Sequence, residues 1–152
     1  MITLKAYFKG RDVEFSHELT GEILDNAART VAKVNALLNR ADLGDVEMVN
    51  SGWRPSAVND QTANSASHSS HLTAEACDVF DPDGALDKWC LAHIADLVDL
   101  GLWVEHPGWT DGWCHLQTRP PGWPPNPDGP RIYIPSTKPP MTTIYGTMPV
   151  YA

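Results

Sequence analysis

The sequence predicts a small α+β domain, in which an antiparallel sheet packs with two main helices and an extended proline-rich tail follows. Three observations carry this expectation. Two segments repeat apolar residues at three- and four-residue spacing, as amphipathic helices do. Four short segments read as strands, too few and too irregularly interleaved with helices for a doubly wound sheet. Ten of the 13 prolines lie between Arg119 and Ala152, where they exclude central strands and continuous helices.

Taken in chain order, the first firm element is a helix from about Thr20 to Ala41. Its stripe is Ile23, Leu24, Ala27, Ala28, Val31, Val34, Leu37 and Leu38, with Thr20 as N-cap and Gly44 beyond its end. Val46 to Asn50 reads as a strand. Residues 51–70 have no clear period and are rich in Ser, Asn, Ala and Gly, so they read as a loop. Ala76 to Phe80 is a strand stopped by Asp81-Pro-Asp-Gly84. A second helix runs from about Ala85 to Leu100, with His93 on its apolar face and Gly101 as its stop. Leu102 to Glu105 and Trp113 to Thr118 read as two more strands. The body is therefore residues 1–118 and the tail 119–152. The tail reads as an extended segment packed on the body, or alternatively as a docking arm for a protein partner, since proline-rich chains are semi-rigid ligands.

Composition narrows the function. A formal charge of −8 in 152 residues leaves no basic stripe for nucleic acid and suits anionic membranes poorly. No apolar run reaches the ~20 residues needed to span a bilayer. The N-terminal segment has neither the apolar stretch nor the cleavage site of a signal peptide, so the chain is expected to be made in the cytoplasm. Three cysteines, Cys77, Cys90 and Cys114, are no disulfide framework and read as reduced thiols. Neither phosphate-cradling glycine loop is present, nor a Gly-x-Ser-x-Gly elbow. His17-Glu18 opens like a zinc-protease helix, but Gly21 stands where the second histidine belongs.

Among the six histidines, His71 and His115 stand out together with Asp78. Two imidazoles and one carboxylate suit a catalytic zinc, which takes three protein ligands and leaves a fourth position open. Spacing alone does not separate this from ordinary hydrogen bonding in loops and at strand ends. Trp113 and Gln117 share a strand face with His115 by two-residue alternation. Trp113 is placed to wall a pocket and Gln117 to hydrogen-bond a ligand histidine, with core packing as the alternative for both. The same alternation turns Cys77 and Cys114 away from that face. His106 points to the opposite side from Glu105, and His93 reads as a satisfied core histidine.

Four ordered motifs then carry a resemblance. Ser51-Gly-Trp-Arg54, Ser69-Ser-His-Leu-Thr-Ala-Glu-Ala-Cys-Asp78, Glu105 and Trp113-Cys-His115 resemble the pattern of the zinc D-alanyl-D-alanine carboxypeptidases and L-alanyl-D-glutamate peptidases. That group shares its zinc fold with the Hedgehog signalling domain. The resemblance spans about residues 16–118 and leaves the tail out. It implies zinc held by His71, Asp78 and His115. It implies Glu105 as the catalytic base, Arg54 as the group that polarises the scissile carbonyl, and Ser69 as a contact to the substrate peptide. Asp99 and Asp111 compete with Glu105 but lack its position at a strand end. His68 has no family role and reads as a loop residue within reach of substrate. The family glycine three residues after the first histidine is Ala74 here, which puts the loop geometry in question if that position needs positive φ.

The activity so implied is hydrolysis of an amide bond in the peptide stem of peptidoglycan, either L-alanyl-D-glutamate or a D-alanyl bond. A short chain without a leader suits a phage lytic enzyme acting on the cell wall after release, although the negative charge counts against binding an anionic wall. The rivals are a D,D-carboxypeptidase trimming terminal D-alanine, and a zinc-containing assembly or binding protein without catalysis.

Overall fold

Thr20 stops the chain in an extended conformation, and its hydroxyl accepts the Ile23 amide at 3.2 Å. That cap opens the long helix α3, Gly21–Arg40. In the computed structural model, which describes residues 1–63 and 65–135, Ala27, Val31, Val34, Leu37 and Leu38 are buried as the spacing predicts. Leu24 and Ala28 are exposed, however, and the polar Asn26 and Thr30 take the inward positions. Both reach the loop ahead of β2: Asn26 donates to the Thr73 carbonyl at 3.0 Å and Thr30 to the Ala74 carbonyl at 2.9 Å.

Two short helices precede α3, α1 (Leu4–Phe8) and α2 (Arg11–Glu14). They are shorter than any period the sequence can display. Thr3 caps α1, whose Tyr7 and Phe8 are buried. The Tyr7 hydroxyl donates to the Ala76 carbonyl at 2.8 Å.

The sheet contains β1 (Val49–Ser51), β2 (Ala76–Phe80), β3 (Trp103–Glu105), β4 (Trp113–Gln117) and β5 (Ile132–Tyr133), in the spatial order β1-β2-β4-β3-β5. Three pairings are antiparallel, but β5 lies parallel to β3. The sheet is therefore mixed, which corrects the antiparallel expectation. The fifth strand comes from the proline-rich stretch, where proline allows an edge strand. Residues 136–152, half of the expected tail, lie outside the described residues.

The expected second helix is two helices, α5 (Ala85–Ala92) and α6 (Ile94–Leu100), so α+β holds with more helices than the two main ones predicted. The break falls at His93, which leaves the helical region at φ −127°. Its Nδ1 bonds the Trp89 carbonyl at 2.7 Å and its ring stacks on Trp89. His93 is exposed, not a core histidine. Asp81 anchors the start of α5 by accepting the Leu86 and Asp87 amides at 3.1 and 2.9 Å. A further short helix, α4 (Ser56–Gln61), lies within the stretch read as loop.

The core sits between α3 and the sheet. Cys77, Val79, Cys114 and Leu116 point into it, as alternation requires. The opposite face of β2 and β4 is left for Asp78, His115 and Gln117.

Candidate metal centre

Asp78 and His115 are direct cross-strand neighbours of β2 and β4. That register alone brings a carboxylate and an imidazole together, since opposed residues lie about 5 Å apart. Asp78 Oδ1 is 2.7 Å from His115 Nδ1.

His71 arrives from the loop ahead of β2, held by the Gly52–Arg54 segment. Its Nδ1 donates to the Gly52 carbonyl at 2.6 Å, and the Arg54 amide donates to the His71 carbonyl at 3.0 Å. Gly52 must be glycine, because a Cβ there would meet the Tyr7 carbonyl oxygen at 2.1 Å. Close approach to α1 thus places the carbonyl that orients His71. With Nδ1 engaged as donor, Nε2 carries the lone pair. That atom is buried without a hydrogen-bond partner, 3.3 Å from Asp78 Oδ2 but outside hydrogen-bond geometry.

An orphaned imidazole nitrogen, a second imidazole and a carboxylate, with ligating atoms all within 4.8 Å of one another, fit a metal ion with open positions. The electrostatics agree. Burial alone would raise the Asp78 carboxyl, yet the two imidazoles outweigh it and hold Asp78 below the usual carboxylate range. Burial pushes His71 down, toward the neutral form that ligates metal. For His115 burial also acts downward, but the Asp78 carboxylate outweighs it and the net shift is up.

Gln117 lies two residues past His115 on the same face. Its Oε1 is 3.1 Å from His115 Nε2 and accepts the Ser70 hydroxyl at 3.0 Å. The expected contact between Gln117 and a candidate ligand histidine is therefore present.

Glu105 ends β3, is buried, and lines the same cavity as the cluster. Arg54 also lines it, and its guanidinium donates to the Ser69 hydroxyl at 3.2 Å. Burial lowers the Arg54 pKa, but a guanidinium stays charged. Ser69 Oγ also accepts the His71 amide at 3.3 Å, so Ser69 ties the arginine to the histidine loop. Trp113 is half-buried and lines the cavity. Asp99 pairs with Arg40 of α3 on the surface, and the exposed Asp111 is not part of the cavity wall. His106 is buried and accepts the Gly108 amide.

The cavity measures about 960 Å³. One wall is the loop through His68 and His71. The other comes from residues 119–135, with Trp123 and Tyr133. Arg119 joins the walls, donating to the His68 carbonyl and, at 3.3 Å, to the Thr73 hydroxyl. His68 stacks on Trp123 at 4.1 Å with planes 6° apart. Sequence reasoning missed Arg119, Trp123 and Tyr133. The run Ile132-Tyr-Ile134 inside the proline-rich stretch was the available signal.

Ala74 has φ +58°, so the position where the family pattern has glycine does require the left-handed region. Alanine occupies it, buried, with its carbonyl held by Thr30.

No curated protein and no solved structure matches the chain. A family model described as Peptidase M15 matches residues 6–116, a span that contains His71, Asp78, Glu105 and His115. The chain belongs to the Peptidase M15 family of zinc-dependent metallopeptidases.

Proposed function

We propose that the protein is a zinc peptidase that hydrolyses an amide bond, L-alanyl-D-glutamate or D-alanyl, in the peptide stem of peptidoglycan. One observation carries this reading: the His71, Asp78 and His115 donors converge in a cavity that also contains a buried carboxylate, Glu105, and a half-buried guanidinium, Arg54. A purely structural metal site needs neither group.

His71 Nε2, an Asp78 oxygen and His115 Nδ1 would hold zinc, which supplies Lewis-acid activation of water and carbonyl when bound. Glu105 takes the proton of the attacking water and returns it to the leaving amine. Arg54, fixed through Ser69, offers positive charge where the carbonyl oxygen gains negative charge. Ser69 and Trp113, which line the cavity, contact the substrate peptide. As a whole-protein role, a phage-type lytic enzyme acting on the wall after release fits this chemistry. No helix among the described residues is long and apolar enough to cross a membrane.

The test is mass spectrometry of purified muropeptides after incubation with wild type and with Glu105→Ala. The expected result is cleavage by wild type alone, with zinc retained by both and product masses naming the bond. Wild type that is folded and zinc-loaded yet leaves every muropeptide intact overturns the reading.

A further inference from the structure

The family match ends at residue 116, yet the hydrogen bonds behind His115 continue beyond it. Gln117 Nε2 donates to the Arg119 carbonyl at 2.6 Å. A carbonyl oxygen only accepts, so this contact fixes which way the amide faces. Oε1 is thereby turned toward His115 Nε2, and Oε1 can only accept. His115 must then carry its proton on Nε2, which leaves Nδ1 as the nitrogen toward Asp78.

A third group engages the same oxygen. The Tyr133 hydroxyl donates to Gln117 Oε1 at 2.9 Å, from β5. The parallel register sets Tyr133 beside Glu105, and Tyr133 lines the cavity, its ring centroid 6.5 Å from that of His115. Tyr133 thus touches the side chain that orients His115.

Resting on the metal-centre reading above, we propose that Tyr133 is a positioning residue: acting through Gln117, it holds His115 in the orientation that presents Nδ1 to a metal. The stretch after residue 118 is then a working part of the centre. Its Arg119 carbonyl and Tyr133 hydroxyl grip Gln117 from two sides.

The test measures zinc affinity by chelator competition and the visible spectrum of the cobalt-loaded protein. It compares wild type, Tyr133→Phe, Gln117→Leu and the double variant, with melting of each metal-free protein as a check on folding. Tyr133→Phe keeps the ring and removes only the hydroxyl. It is expected to melt with wild type, to bind zinc about tenfold more weakly, at the lower end for groups behind a ligand, and to shift the cobalt bands. In the Gln117→Leu background the same change should do nothing further, because the connection is already cut. Unchanged affinity and spectrum in Tyr133→Phe overturns the assignment while leaving the zinc reading intact. An equal loss in both backgrounds also overturns it, since Tyr133 would then act by another route. A wild type that takes up no zinc overturns both.

Discussion

Asp78 is a largely enclosed carboxylate and Asp87 a buried one, and their surroundings treat them in opposite ways. Asp78 lies between two imidazoles, which hold it ionised against the cost of burial. Asp87, near the start of α5, has lost its water without gaining a cation. Burial, together with the nearby Asp81 and Glu105 carboxylates, pushes it up to about 7, despite bonds to Cys114 and Thr110. One of its oxygens has no partner. Burial alone does not set the charge of a carboxyl; what faces it does. The molecule keeps one carboxylate charged where a metal would sit and leaves the other poised to be neutral in its core.

The same substitution should therefore break the two sites differently. Asp78→Asn removes a ligand charge and should cost more zinc affinity than the ~10–100-fold typical of groups behind a ligand, read by the same chelator competition. Asp87→Asn should leave zinc affinity unchanged and raise stability at pH 8 by about 4 kcal/mol in urea unfolding. Between about pH 4 and 7 folded Asp87 retains a proton that the unfolded chain releases, so wild-type stability falls as pH rises through that window. The difference between Asp87→Asn and wild type should vanish near pH 4. A gain that is independent of pH would show that Asp87 is not the group responsible.

Much of this contrast was legible in the sequence, for reasons of period and register. β2 matches its expected bounds, Ala76–Phe80, because a short β-branched and aromatic run meets Asp-Pro-Asp-Gly. The alternation along β4 separated His115 and Gln117 from Cys114 and Leu116 correctly. What was hidden depends on contacts between distant residues. The break at His93 comes from a side chain bonding a carbonyl within an otherwise good helical pattern. The inward polar residues of α3 answer carbonyls of a loop more than forty residues on. Proline density concealed β5, since two residues carry no period, and Tyr133 was concealed with it.

Ala74 sharpens the comparison with the smallest effect. A left-handed alanine costs roughly 1–2 kcal/mol, but its buried methyl and the greater freedom of unfolded glycine offset most of that. Ala74→Gly should change stability by less than about 1 kcal/mol and leave zinc affinity as it is. A large gain would mean that the loop behind His71 stores strain that the methyl does not repay.

The strand order has a consequence for how copies of the chain meet. The outermost strands are also among the shortest, three residues in β1 and two in β5. Pro130 and Pro135 flank β5 closely. A sheet edge that short offers few unpaired amides to a neighbouring chain, and proline withdraws more. The longer strands β2 and β4 are enclosed within the sheet. The segment that completes the cavity therefore also guards the sheet against growth by edge-to-edge pairing.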